Sequence, residues 1–129
     1  MHELLDIILT HHAPAPIGPY SQAVKTGDFI FCSGQIALDP QTGEMVTSSL
    51  EDETHRVLKN LTAVLEHGGA GWANVVKTTI FLTDLKDFAE VNKLYELRLG
   101  TARPARSTVQ VAALPKGARV EIECIARVS

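Results

Sequence analysis

RPARSTVQVAALPKGARVEIECIARV, residues 103–128, holds two strand-like runs around a proline-lysine-glycine break, and the way those runs pair decides the fold. In the second run Val120, Ile122, Cys124, Ala126 and Val128 fall on one side and Arg119, Glu121, Glu123, Ile125 and Arg127 on the other. That is the period-two alternation of a half-buried strand. In the first run Ser107, Val109, Val111 and Ala113 take the apolar side, which leaves Arg106, Thr108, Gln110 and Ala112 opposite. LPKG (114–117) reads as a hairpin loop. The pairing it predicts sets Ala113 against Ala118, Gln110 against Glu121 and Thr108 against Glu123. Arg106 then sits opposite Ile125 and diagonal to Glu123, at roughly 7–8 Å between backbones. That spacing fits a small ligand between the two head groups, and it equally fits a plain ion pair.

Further upstream, proline and glycine punctuate the chain. APAPIGPYS (13–21) is too rich in proline for regular structure and reads as an extended lead-in ending near Tyr20. FIFCSGQIAL (29–38) reads as a strand stopped by the turn DPQTG (39–43). Strict alternation puts Ile30, Cys32, Ile36 and Leu38 on one face and Phe29, Phe31, Ser33, Gln35 and Ala37 on the other, so both faces carry apolar groups. Ser48 and Glu51 form a capping-box pattern, and Leu50, Thr54, Val57, Leu58, Leu61, Val64 and Leu65 follow at helical spacing until Gly68. VVKTTIFLT (75–83) is a β-branched strand. Asp84 then caps a second helix whose stripe includes Phe88, Val91, Tyr95 and Leu99, with Gly100 as its stop and Asn92 as a polar interruption.

Composition narrows the function classes. A chain of 129 residues, 45% hydrophobic and 21% charged, fits one globular domain spanning 1–129. No stretch approaches the roughly 20 apolar residues of a membrane span. The N-terminus MHELLDIILTHH carries Glu3 and Asp6 where a secretory signal carries basic residues, so a cytoplasmic location is expected. Cys32 and Cys124 lie in apolar runs without CxxC spacing and read as buried thiols, and the scattered histidines make no metal site. A net charge of −3 argues against a nucleic-acid partner and toward a small ligand. Two helices can cover one face of the sheet only. The apolar groups on the other face imply a homo-oligomer, whose seams are natural binding sites.

IGPYSQAV (17–24), SGQIALDPQTGEM (33–45), VVKTTIFLTDLKDF (75–88), VNKLY (91–95) and PARSTVQVAALPKGARVEIECIA (104–126) together resemble the Rid family of reactive intermediate deaminases, in order and over nearly the whole chain. The resemblance implies an α+β fold of the chorismate-mutase-like (bacillus) type, a sheet with two helices on one face. It implies a homotrimer with active sites between subunits and a role in metabolite damage control. The implied reaction is cofactor-free hydrolysis of 2-imino acids and their enamine tautomers, such as 2-aminoacrylate and 2-iminopropanoate, to 2-oxo acids and ammonia. By position, Arg106 matches the family's carboxylate-binding arginine and Glu123 its water-handling glutamate, with Glu121 two residues away as a structural control. Tyr20, Ser33 and Asn92 match other pocket positions. Each also has an ordinary structural role open to it: an amphipathic wall, a hydroxyl bonded to backbone, a helix-to-loop tie. Thr108 stands where many members carry cysteine, and its backbone N–H is implied as a carboxylate donor. Arg98 and Arg103 stand where relatives tend to have aromatic residues, which bears on side-chain preference. The competing functional readings are a trimer that binds 2-oxo or 2-imino acids, or a protein partner, without turnover, and RNA binding or cleavage, which fits poorly with the negative charge.

Overall fold

In a computed structural model that describes residues 5–128, six strands form one mixed sheet. Glu3, part of the N-terminal reading, lies outside the described residues. The strands are β1 (Asp6–Ile8), β2 (Ala23–Thr26), β3 (Phe29–Gln35), β4 (Val75–Leu82), β5 (Ala105–Gln110) and β6 (Val120–Arg127). Helix α1 (Leu50–His67) follows β3, and α2 (Phe88–Leu99) links β4 to β5. The sheet order is β1-β2-β3-β6-β4-β5. The expected α+β architecture with both helices on one face is what the chain adopts. Among the described residues no helix is long and apolar enough to cross a membrane.

The predicted hairpin does not form. β5 pairs in parallel with β4, with Arg106 beside Thr78 and Ser107 beside Thr79, while β6 inserts between β3 and β4 and is antiparallel to both. The physical reason lies in the two runs' unequal apolarity. β6 hides Val120, Ile122, Cys124 and Ala126 beneath the helices along its whole length, as a central strand must. β5 has exposed or half-buried residues throughout, as an edge strand can. The α2 connection delivers β5 to the outside of β4, because parallel neighbours need such a crossover. LPKG instead makes one 3-10 turn, with Lys116 at φ 55°.

Pairing with β4 also reverses the predicted faces of β5. Thr78 is buried on the helix side with Cys124, so Arg106, Thr108 and Gln110 point to the helix side. Ser107 and Val109 share the open face with Thr79, Phe81, Glu121 and Glu123. A second revision falls in β3. Cys32 pairs with Cys124 but Gln35 pairs with Ile122, so one extra residue bulges at Ser33-Gly34 and the alternation flips. Gln35 and Ala37 are therefore buried, while Ile36 and Leu38 turn outward, contrary to strict alternation.

The core packs α1 (Val57, Leu58, Leu61, Val64, Leu65) onto Ile30, Ile80 and Ile122. The α1 cap is Ser49, not Ser48: Ser49 Oγ accepts from the Asp52 N–H at 3.0 Å, and Ser48 Oγ bonds the Asp52 carboxylate. Gly68 ends the helix as expected, but for packing reasons. A β-carbon there would lie 2.7 Å from Ile8 Cδ1 and 2.8 Å from Ile30 Cδ1. Asp84 caps a 3-10 turn (Leu85–Asp87) that leads into α2, and Gly100 terminates α2 at φ 63°. Cys32 and Cys124 are free and buried, and the Cys124 thiol is pushed strongly up by its hydrogen bond with Cys32 and by burial. On the open face Phe29, Phe31 and Val109 are 40%, 43% and 40% exposed.

Candidate active site

The site residues separate into two groups on opposite faces of the sheet. The first gathers at β5 and α2. Residue 92 lies one helical turn before Glu96 and near Tyr95, on the flank of α2 that overhangs β5. There the Arg106 guanidinium donates from Nη1 to Asn92 Oδ1 at 2.6 Å. Its Cζ lies 5.4 Å from the Phe88 ring centroid and 5.3 Å from that of Tyr95. The Tyr95 hydroxyl shares a 2.7 Å hydrogen bond with Thr78 Oγ1. Burial pushes the Tyr95 hydroxyl pKa up, against the Thr78 bond and the nearby Arg106 charge. No carboxylate pairs with Arg106 among the described residues. A cavity of about 320 Å³ adjoins it, lined by Asn92, Tyr95, Glu96, Leu99, Arg103 and Arg106 among others.

Thr108 follows Arg106 on the same side of the edge strand. The Val111 N–H bonds Leu82 O at 2.8 Å, so in a parallel ladder the odd-numbered residues of β5 bond to β4. The N–H groups of Arg106 and Thr108 thus point away from the sheet along its free edge. Thr108 Oγ1 is buried without a hydrogen-bond partner. One guanidinium and one outward N–H side by side make a receptor for a carboxylate, since the planar fork of arginine matches two oxygens.

The second group surrounds a cavity of about 540 Å³ whose lining includes Tyr20, Ser33, Gln35, Lys116, Glu121 and Glu123. Tyr20 is half exposed at its mouth. The lead-in that carries Tyr20 is tied down by Gln22, whose amide nitrogen donates to the carbonyls of Thr10, Ala13 and Pro14 while its oxygen accepts from the Thr10 N–H. Ser33 Oγ donates to Ser21 O at 2.6 Å, the backbone tie that is the ordinary reading of such a hydroxyl. β6 enters this hollow from a fixed point: the buried Glu53 carboxylate accepts from Arg119 N and Arg119 Nε, both at 2.7 Å.

Glu121 differs from Glu123 in one respect that sequence reasoning missed. Its side chain lies over Gly34, where a β-carbon would come within 2.8 Å of Glu121 Cδ. Burial first, and then the neighbouring Glu123 charge, raise its pKa above the ordinary carboxylate value. The sequence did hold a clue, the glycine in SGQ, but only the bulge brings Gly34 beneath position 121.

Within one chain Arg106 and Glu123 do not converge. Two strand spacings, about 10 Å in all, separate β5 from β6, and the two side chains leave opposite faces of the sheet. The predicted diagonal contact is therefore corrected: a site using both must take them from different copies of the chain. Among the described residues no cluster of His, Cys, Asp or Glu has the makings of a metal site.

Comparison with known proteins agrees with this architecture. A RutC family protein of Pyrococcus abyssi is 50% identical over 121 residues, covering 94% of this chain and 95% of that protein. The mouse protein named 2-iminobutanoate/2-iminopropanoate deaminase is 49% identical over 120 residues, covering 93% of this chain and 89% of its own. The solved structure of a Rid-family protein, YyfA, from Yersinia pestis matches with a TM-score of 0.93 at 48% identity, covering 97% of this chain and 100% of that one. The family model described as endoribonuclease L-PSP matches residues 10–128. With its sheet order, its two helices and its five sequence blocks all accounted for, the chain belongs to the Rid family.

Proposed function

We propose that the protein hydrolyses small 2-imino acids to 2-oxo acids and ammonia, without a cofactor, in a homotrimer whose sites lie between subunits. The observation that carries this reading is the Arg106 guanidinium, held by two aromatic rings and an amide and free of any carboxylate among the described residues. A structural arginine would have spent its charge; this one keeps it available. The apolar open face, with Phe29 and Phe31 uncovered, supports burial against further copies. Such packing brings the Glu121 and Glu123 side of one copy toward the Arg106 edge of another.

In this reading the substrate carboxylate sits on Arg106 and the Thr108 N–H. Water adds its oxygen to the imine carbon and gives a proton to a glutamate, which returns it to nitrogen. The same carboxylate then takes the proton of the new hydroxyl and passes it to nitrogen as the C–N bond breaks and the C=O bond forms, and ammonia leaves. An imine is already electrophilic, so orientation and one acid-base group suffice. Glu123 is the position the family resemblance assigns to this proton transfer. The raised pKa of Glu121 and its seat over Gly34 favour Glu121 for the transfer. Tyr20 and Ser33 wall the hollow, and Asn92 orients Arg106.

The test is to generate 2-iminopropanoate in situ and follow pyruvate and ammonia with wild type and Arg106→Ala. Wild type accelerates release and the variant loses about 100-fold or more in kcat/KM. Equal rates for the two proteins would remove Arg106 from the reaction. A non-catalytic binding module would instead bind 2-oxo acids and show no turnover even as wild type.

A further inference from the structure

We infer that Arg103 makes this a site for dicarboxylic 2-imino and 2-oxo acids, binding a second, side-chain carboxylate in the cavity beside Arg106. The inference rests on the α-carboxylate being held by Arg106, and it goes further by naming a substrate class. Arg103 and Arg106 line the same cavity of about 320 Å³. That is room for an acid of four to six carbons, at the lower end of the volumes small ligands occupy. Two residues, Pro104 and Ala105, separate the two arginines, so their α-carbons are three chain steps, no more than about 11 Å, apart. Side chains that turn inward from that separation can hold the two ends of a four- or five-carbon diacid. Asn92 and Tyr95 form the wall between them, and Leu99 supplies an apolar surface for the connecting methylenes.

Arg103 is held but not neutralised. Nη1 donates to Gly100 O and Ala102 O, both at 2.8 Å, which closes the end of α2 and fixes the direction of the fork. Nη2 meets Glu96 Oε2 at 3.4 Å, a long and solvent-exposed contact that contributes little. A carboxylate ligand can displace Glu96 while the backbone bonds keep the guanidinium in place. The two arginines against one glutamate leave the cavity net positive. Both guanidinium charges also act on the Tyr95 hydroxyl, consistent with their facing one space.

The experiment is titration calorimetry of the full chain with 2-oxoglutarate and with 2-oxobutyrate, for wild type, Arg103→Gln and Glu96→Gln. Wild type should prefer the dicarboxylate by about 10-fold or more, a charge-assisted contact's worth. Arg103→Gln should abolish that ratio, and Glu96→Gln should increase it by removing the competing carboxylate. A purely structural role for Arg103 would lower thermal stability and leave the ratio unchanged. No preference in wild type, no binding of either acid, or a ratio insensitive to Arg103→Gln overturns the inference. Turnover of in situ 2-iminoglutarate and 2-iminobutanoate, measured alongside, separates the two claims. Hydrolysis of the monocarboxylate alone sinks the dicarboxylate site and leaves the hydrolase reading standing. A dicarboxylate binding preference with no turnover of either imine does the reverse.

Discussion

Arg106 is planar, permanently charged and paired with no carboxylate among the described residues. Phe88 and Tyr95 flank it and Asn92 takes one of its five N–H groups, so the fork is oriented before any ligand arrives. Lysine keeps the charge and loses both the stacking and the fork. Arg106→Lys should therefore cost about 10- to 100-fold in kcat/KM, with affinity for 2-oxo acids falling alongside; near-normal affinity would show that a point charge is enough. Glu121 presents the opposite case, a carboxylate whose ionisation the fold opposes. Its native pKa is raised above the ordinary 4.5 by burial and by Glu123. Stability from this group is thus full below the unfolded value and declines as pH rises through the native one. Glu121→Gln should match the wild-type melting temperature at pH 4 and equal or exceed it at pH 7, while imine turnover falls by about 100-fold. Lower stability of the variant at pH 7 would contradict the burial argument. The acid limb of the wild-type pH-rate profile should also lie above the ordinary carboxylate range.

The β3 bulge and the β6 anchor show how elements aim these groups. Cys32 and Gln35 bracket one surplus residue, which turns Gln35 inward and puts Gly34 under the Glu121 carboxylate. Gly34→Ala should displace Glu121 and reduce turnover far more than it lowers the melting temperature, because the bulge backbone itself can accept alanine. Turnover at the wild-type level would mean that Glu121 does not need its seat. This element was only half legible beforehand. Alternation in FIFCSGQIAL correctly grouped Ile30 with Cys32 and Phe29 with Phe31, yet a bulge leaves no periodic trace, so Gln35 and Ala37, and Ile36 and Leu38, were each grouped with the wrong face. The helices were read more faithfully, since their 3.6-residue stripe is long enough to average out an interruption such as Asn92. The cap of α1 slipped by one residue because Ser48 and Ser49 both offer a hydroxyl and the backbone selects between them. The β1 and β2 strands escaped notice, being only 3 and 4 residues long.

The proposed function makes assembly the step that joins the two halves of the site. Since Arg106 and the glutamates leave opposite faces of one sheet, an intersubunit site predicts complementation. Differently tagged Arg106→Ala and Glu121→Gln chains, each nearly inactive, should regain activity when co-expressed. Random mixing in a trimer puts an intact arginine opposite an intact glutamate in about a quarter of sites. No recovery in purified mixed oligomers would place the complete site within single chains. A charge on the open face should act on assembly itself. Phe31→Asp, in the patch around Phe29 and Val109, should shift the protein toward monomer in sedimentation, and activity should fall with it.

By itself the sequence determined the alternation along β6, where the two long helices lie, that one sheet face would be apolar yet uncovered by helices, and, through its five motif blocks, the family. Periodicity carries this much because burial acts on every residue of an element in turn. The tertiary structure alone decided that β6 rather than β5 enters the middle of the sheet, and hence that Arg106 and Glu123 face apart. Period two relates the side chains within a strand. It says nothing about which strand lies alongside, and that choice depends on the α2 crossover and on which run has enough apolar surface to be buried under both helices.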